Sequence, residues 1–226
     1  MINTLGAISV ETPHGRPYSM AIRPDTSDAN TVFSNMAGND EYRVPSGLSG
    51  WALDVGAHIG AVTVPLLLDN PELHVVAIEA LPENVSLLDE NLRRNGLRDR
   101  AAILAGPASN SHAKVTVGYG DMATDFGRHH EFIGSPTVSG RTVTAKGTTL
   151  ADVLKLTDDE DIAWMKIDCE ACEYPFFESP LVGRIAFITG EHHAGFDRIK
   201  ALLDATHVVT MTDGTESFGH FSAVRR

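Results

Sequence analysis

Apolar residues in this chain fall into short unbroken runs, and the stretches between those runs place apolar positions three or four residues apart. Residues 51–55, 74–79, 101–105, 163–170 and 184–189 carry apolar residues on both parities. That is the pattern of strands buried on both faces of a parallel sheet. Residues 82–95 make the clearest helix, with Pro82 in its first turn, Val85, Leu88 and Leu92 on one face and Gly96 as terminator. Residues 61–68, 149–156 and 196–205 read as shorter helices, the first carrying Pro65 near its start, where a proline is tolerated. Strands alternating with helices across short connections predict an α/β fold with a doubly wound, mostly parallel, Rossmann-like sheet. Residues 207–211 and 219–224 are linked through Asp213-Gly214 by too few residues for a parallel crossover, so an antiparallel C-terminal strand is expected.

Outside this alternation lie two stretches of different character. Residues 1–50 read as an N-terminal extension or cap: extended segments at 7–10 and 18–22 flank Pro13 to Pro17 as a hairpin, and a helix starting at 25–28 shows Val32, Phe33 and Met36 as its apolar face. Residues 113–147 read as a β-hairpin insertion in the main domain of 51–226, with strands at 113–119 and 141–145. The polar loop between them carries Asp121, His129, His130 and Phe132, and with Tyr119 it is expected to form a substrate-facing lid.

At 226 residues, 42% hydrophobic and 21% charged, the chain has the composition of an ordinary globular protein. Its net charge of −12, with no run of Lys or Arg, argues against nucleic acid as a partner. No stretch approaches the ~18 apolar residues of a membrane span, and residues 1–10 lack a basic region followed by an apolar core. Cytoplasmic residence without membrane association is therefore expected. The single pair Cys169 and Cys172 is too few for a zinc ribbon and leaves a redox dithiol open.

Candidate chemistry gathers where the strands end. Residues 51–60, Trp-Ala-Leu-Asp-Val-Gly-Ala-His-Ile-Gly, are a strand closing on Asp54 and opening into a turn spaced by Gly56 and Gly60. Glu79 ends the next strand roughly 20 residues on, the spacing at which an acid meets a ribose in doubly wound sheets. A nucleoside-containing cofactor follows. Dinucleotide sites have a middle glycine where the pyrophosphate approaches; here that glycine is missing from Gly56-Ala57-His58-Ile59-Gly60, and Asp54 disfavours phosphate. S-adenosylmethionine, which has a ribose and a sulfonium but no phosphate, suits the acids better. Asp168, Glu170 and Glu173 crowd the end of the fourth strand, and Glu191, His192 and His193 follow the fifth. An imidazole beside carboxylates is a natural proton acceptor. His58, within the turn, reads as a solvent-side filler.

These motifs resemble those of class I S-adenosylmethionine-dependent methyltransferases, and more narrowly the FkbM-type group of mostly O-methyltransferases. The likeness rests on residues 54–60, on Ala77-Ile-Glu-Ala-Leu-Pro-Glu-Asn84 with Asn95-Gly96, on Thr149-Leu150 and on Lys166-Ile-Asp-Cys-Glu170 through Glu173. Asp40-Glu-Tyr42 and Glu191-His-His193 fit as well. The resemblance implies that Asp54, Gly56, Ala57, Gly60, Glu79, Ala80 and Asp168 form the cofactor site, with Glu79 on the ribose diol. His193 is expected as the base, with Asp168 and Glu191 orienting it or the acceptor, and Glu170, Tyr119 and His192 meeting the substrate. The acceptor implied is a hydroxyl on a small molecule or natural product, such as a sugar, polyketide or peptide. Asp168, Glu191 and His193 also suit Mg²⁺ or another divalent ion. Two departures stand out: similar proteins usually carry Gly where Ala171 stands, and Gly106-Pro107-Ala108 offers no acid for the adenine amino group. A nicotinamide-dependent oxidoreductase and a non-catalytic S-adenosylmethionine-binding protein remain the alternatives.

Overall fold

The computed structural model describes residues 5–119, 141–193 and 195–226. The expected lid at 120–140, with Asp121, His129, His130 and Phe132, and the side chain of Tyr119 lie outside the described residues. In chain order the elements begin with a hairpin of β1 (Gly6–Glu11) and β2 (Pro17–Ile22), then α1 (Asp28–Phe33) and the short pair β3 (Asn35–Met36) and β4 (Asn39–Asp40). The alternating core follows as β5 (Gly50–Val55), α2 (Thr63–Asp69), β6 (Leu73–Glu79), α3 (Pro82–Arg94) and β7 (Ala101–Ala105). Next come the hairpin strands β8 (Lys114–Tyr119) and β9 (Arg141–Lys146), then α4 (Leu150–Leu156), β10 (Ile162–Ile167), α5 (Glu173–Phe177), β11 (Phe187–His192) and α6 (Phe196–Leu203). The chain closes with β12 (His207–Gly214) and β13 (Gly219–Arg225).

Seven strands form one sheet in the order β12-β13-β11-β10-β5-β6-β7, and β13 alone runs antiparallel to its neighbours. The expected mostly parallel sheet with an antiparallel C-terminal strand is therefore present. Successive residues alternate between its faces. Ala52, Val75, Ala77 and Trp164 pack on one side with α2 and α3, while Leu53, Val76, Ile78 and Met165 pack on the other with α4, α5 and α6. The chain moves outward from β5 to β7 and then restarts at β10 on the other side of β5, so the switch in strand order lies at the carboxyl ends of β5 and β10. Ligands bind at such a switch.

The N-terminal hairpin docks on this core through two asparagines, Asn91 of α3 and Asn95 at its C-cap. Asn91 accepts from Ala21 N at 2.6 Å and donates to the carbonyls of Ala21 and Ile59 at 3.1 and 2.9 Å. Asn95 accepts from Ser19 N at 3.2 Å and donates to Ser19 O at 2.8 Å. Each amide thus completes backbone groups that the edge of a two-stranded hairpin leaves open.

Several boundaries differ from expectation for identifiable reasons. β10 stops at Ile167, because residues 168–172 turn away, with Glu170 and Ala171 at φ of 54° and 74°. β11 starts at Phe187 and runs on through Gly190 to His192. Gly190 reads as a strand breaker, but a Cβ there would stand 2.2 Å from the Ile167 carbonyl, so the glycine is what lets β11 lie beside β10. Phe33, expected on the buried face of α1, is exposed, while Val32 is buried.

Candidate functional site

A cavity of about 460 Å³ opens along the carboxyl ends of β5, β6, β7 and β10. Its floor is the turn after β5. Gly56, Ala57 and His58 line it, and the backbone N–H groups of Gly56 and Ala57 both donate to Ile78 O at 3.0 Å. Gly60 lies outside the cavity; its open α-carbon faces Leu88 Cδ1, so it serves the packing of the turn on α3. Asp54 is also outside, fully buried beneath the turn, where it accepts from Thr63 Oγ1 at 2.6 Å and lies 3.6 Å from Lys166 Nζ. Of the residues expected to form the cofactor site, Asp54 is thus the one that lies under the turn.

Glu79, only 6% exposed, ties the turn to the start of α3. Its Oε2 accepts from His58 N at 2.8 Å, and its Oε1 accepts from Leu81 N at 2.9 Å and Asn84 Nδ2 at 3.2 Å. A carboxylate has about four acceptor positions, so one remains, on Oε2. Ala80 lines the cavity beside it, and Gly106, Pro107 and Ala108 make the wall beyond. His58 is no solvent-side filler. Its ring lies 3.5 Å from Asp28, and burial, with that charge opposing, lowers its pKa to about 4. Asp28 is held by Arg23, which also donates to Asn84 Oδ1 at 2.8 Å, so α1 is fastened over this end of the cavity.

The opposite end is a knot of carboxylates and imidazoles. Asp168, Glu170 and Glu191 line the cavity; His193, 7% exposed, sits behind them. Glu173, fully buried at the start of α5, accepts from both the backbone N and the Nδ1 of His193 at 3.1 Å. That fixes the ring so that Nε2 faces Glu191 at 3.3 Å, Glu170 at 3.6 Å and Asp168 at 3.8 Å. Burial opposes charge on this ring, but its bonds to Glu173 and Glu191 and the surrounding carboxylates outweigh that and raise its pKa to about 11. Glu170 is raised to about 8 by burial and by its acidic neighbours, against the pull of His193. Glu191 is lowered to about 2, because its bonds to His193 and His220 outweigh its burial. His220, bonded to Glu191 and Glu41, rises to about 10.

His192 is not with them. β11 alternates, so Glu191 turns toward the cavity and His192 toward the other face, fully buried against Phe196, with a ring separation of 5.8 Å. Its expected substrate contact is thereby overturned. Ligand atoms of Asp168, Glu170 and His193, and separately of Glu41, Glu191 and His220, lie within 4.8 Å of one another. The expected divalent set of Asp168, Glu191 and His193 is thus divided between these two groups.

Sequence reading missed the residues that close this end. Tyr42, 4% exposed and 126 residues from its partner, donates its hydroxyl to Asp168 Oδ2 at 2.8 Å. Its ring lies 5.1 Å from Lys166 Nζ, within cation–π range. Lys166 also donates to Gly56 O at 2.9 Å, and Asp54, Asp168 and Glu191 keep it charged despite burial. Cys169 and Cys172, on the cavity wall, are joined as a disulfide. The only local signal for Tyr42 was its place in Asp40-Glu-Tyr42; separation in sequence hid the contact.

Comparison with known structures agrees with the fold described above. TrmK from M. capricolum, solved with S-adenosyl-homocysteine, superposes with a TM-score of 0.53 at 7% identity over 83% of this chain and 67% of that one. A putative transferase from Pyrococcus horikoshii gives 0.51 at 14% identity, over 98% of this chain and 71% of that one. Both show a shared fold. No curated protein sequence matches significantly. The family model described as the methyltransferase FkbM domain matches residues 54–220, a span that runs from the buried acid under the glycine turn to the histidine paired with Glu191. The chain belongs to the FkbM methyltransferase family.

Proposed function

We propose that this protein is an S-adenosylmethionine-dependent methyltransferase acting on a hydroxyl of a neutral small molecule or natural product. The observation that carries this reading is the charge pattern of the cavity. The cavity floor of Gly56, Ala57 and His58 is bounded by Glu79 at one end and by Asp168, Glu170 and Glu191 at the other. The lysine on its wall is engaged by Gly56 O and by carboxylates. A pyrophosphate would meet acids there and no free cation among the described residues, which disfavours a nicotinamide dinucleotide, whereas a ribose and a sulfonium meet acceptors. About 460 Å³ lies in the usual range for small-ligand sites.

Bound there, S-adenosylmethionine would supply an electrophilic methyl group for in-line displacement by the acceptor oxygen. The protein's share is alignment and proton handling. The open position on Glu79 Oε2 suits one ribose hydroxyl, so Glu79 takes both only if Asn84 or a backbone partner gives way. Asp168, held by Tyr42, lines the cavity and would meet the cofactor or the acceptor there. His193, with a pKa near 11, holds its proton at neutral pH. It takes part as the cation of the cluster, and the acceptor's proton passes first to a carboxylate in front of it. Alignment of this kind is worth ~7–11 kcal/mol and proton removal about 10²–10⁴ in rate.

Titration calorimetry with S-adenosylhomocysteine tests the reading directly: saturable binding is expected, and its absence, or tight NADH binding in its place, would sink it. Binding with no methylated product from any hydroxyl acceptor would point to the non-catalytic alternative. Tyr42→Phe is expected to keep cofactor affinity and lower turnover about tenfold, since a bond to a charged group contributes ~1.5–3 kcal/mol. A loss of cofactor affinity with unchanged turnover would refute that role.

The cluster also sets a pH dependence. Glu170 faces His193, Asp168, Glu191 and Glu173, with Lys166 and His220 nearby, and its pKa of about 8 predicts turnover that rises as pH passes that value. His193 lowers the Glu170 pKa, so His193→Gln should move this limb to higher pH and slow turnover at neutral pH. Full turnover of that variant between about pH 6 and 9, with normal cofactor binding, would remove His193 from the mechanism.

A further inference from the structure

The disulfide has no part in the chemistry above, yet it closes the turn on which the site depends. Between its cysteines, Glu170 and Ala171 both adopt left-handed backbone, at φ of 54° and 74°. Side chains of L-residues disfavour that region, and two such residues in succession persist only where something over-determines them. The Cys169–Cys172 bond, spanning a Cα separation of 5.4 Å, is that constraint. What the turn holds is specific. The Asp168 carbonyl stands 1.8 Å from where a Cβ on Gly56 would be, so the main chain of this turn rests directly on the cofactor turn. Glu170 points its carboxylate at His193, and Glu173, which orients that ring, begins one residue after Cys172.

We propose that Cys169 and Cys172 form a thiol–disulfide switch of this site, oxidised in the binding-competent state and reducible by a small dithiol or glutathione. Cys169 is half-buried on the cavity wall while Cys172 is 1% exposed, so attack falls on Cys169 Sγ. The incoming thiolate bonds to that sulfur, and Cys172 leaves as a thiolate and takes up a proton. A second thiol then displaces Cys169, leaving two protein thiols and one oxidised reductant, a transfer of two electrons. Asp168, Glu170 and Glu173 surround the pair and disfavour the leaving thiolate. Exchange is therefore slow beside catalysis, which suits a switch better than a turnover centre. In the reduced form the turn relaxes out of the left-handed region and shifts Cys169 and Glu170 on the cavity wall.

The effect on cofactor affinity rests on the methyltransferase reading; the effect on the turn does not. The test compares oxidised and dithiothreitol-reduced protein, with the thiol state read by alkylation and intact mass. S-adenosylhomocysteine affinity is measured by calorimetry and opening of residues 168–173 by amide hydrogen exchange. Reduction is expected to weaken binding about tenfold and to speed exchange in that segment. Cys169→Ser with Cys172→Ser should match the reduced protein and ignore dithiothreitol. Adding Ala171→Gly to that pair should restore most of the affinity, since glycine takes the left-handed conformation without a side-chain clash. Equal affinity and equal exchange in both thiol states would overturn the switch, as would cysteines that stay reduced under glutathione disulfide. Faster exchange on reduction in a protein that binds no S-adenosylhomocysteine in either state would uphold the switch and reject the cofactor instead.

Discussion

Replacing Glu79 by alanine should weaken S-adenosylhomocysteine binding by about 100-fold or more, a loss that combines a direct contact with collapse of the turn that makes it. The carboxylate accepts from His58 N, Leu81 N and Asn84 Nδ2. Each donor left unsatisfied in a buried setting costs ~1–3 kcal/mol, and the hydroxyl contact to a charged group is worth ~1.5–3 kcal/mol, about tenfold to 100-fold in affinity. Glu79→Gln is the sharper variant. All three partners are donors, so whichever way the amide turns, its NH₂ faces an N–H. It should therefore lose nearly as much as alanine despite its matching shape. Burial, opposed by those same bonds, raises the Glu79 carboxyl above its ordinary range. Cofactor affinity in the wild type should accordingly fall as acidification protonates it, because one acceptor oxygen then becomes a donor among donors. Calorimetry at descending pH reads both effects, with thermal melting to confirm the fold. A Glu79→Gln variant binding within about threefold of wild type would show that this acid neither shapes the turn nor meets the ligand.

The parts of this site that were legible in the sequence are those fixed by local pattern. Two-sided apolar runs mark central parallel strands, and Gly56 and Glu79 follow from the ends of two of them. Legibility failed where one residue's environment is set by a distant one. Asp54 looks like a ligand contact because it sits at a strand end, but Thr63 and Lys166 draw it under the turn. His192 and His193 are indistinguishable as neighbours until the length of β11 is known. Reading Gly190 as a terminator ends the strand too early and so hides that alternation sends His192 away from the site. Tyr42 and Glu41 belong to a segment with little periodicity, ahead of the residues the family model covers. Their contribution appears only when α1 and the β3–β4 pair fold over the cavity and bring a phenol to Asp168. The acid cluster itself was visible; its balance of charge was not, because that depends on His220 arriving from β13 and on Glu173 gripping His193 from behind.

Gly56→Ala should have the largest effect of any single substitution at the turn, destabilising the protein by about 3 kcal/mol or more and abolishing cofactor binding in whatever remains folded. Two costs combine. The residue has φ of +77°, a region that costs an L-residue ~1–2 kcal/mol. Its Cβ would stand 1.8 Å from the Asp168 carbonyl oxygen and 2.9 Å from the carbon behind it, and overpacking of a fixed interior costs ~1–3 kcal/mol. Neither atom is the tip of a flexible side chain. Asp168 N is bonded to Val55 O at 3.1 Å, and Val55 pairs with Ile167 across the sheet, so relief requires the ends of β5 and β10 to part. Parting them would also pull Gly56 O from Lys166 and shift Asp168 away from Tyr42. Gly60→Ala is the internal comparison: its φ of +93° is equally unfavourable, but the nearest obstacle is Leu88 Cδ1 at 2.9 Å, a methyl that can rotate aside. Gly60→Ala should therefore fold, melt a few degrees lower and keep most of its affinity. If the two variants proved equal in melting temperature and in S-adenosylhomocysteine affinity, the close approach of the β5 and β10 turns would have no functional weight, and the glycine at 56 would serve backbone freedom alone.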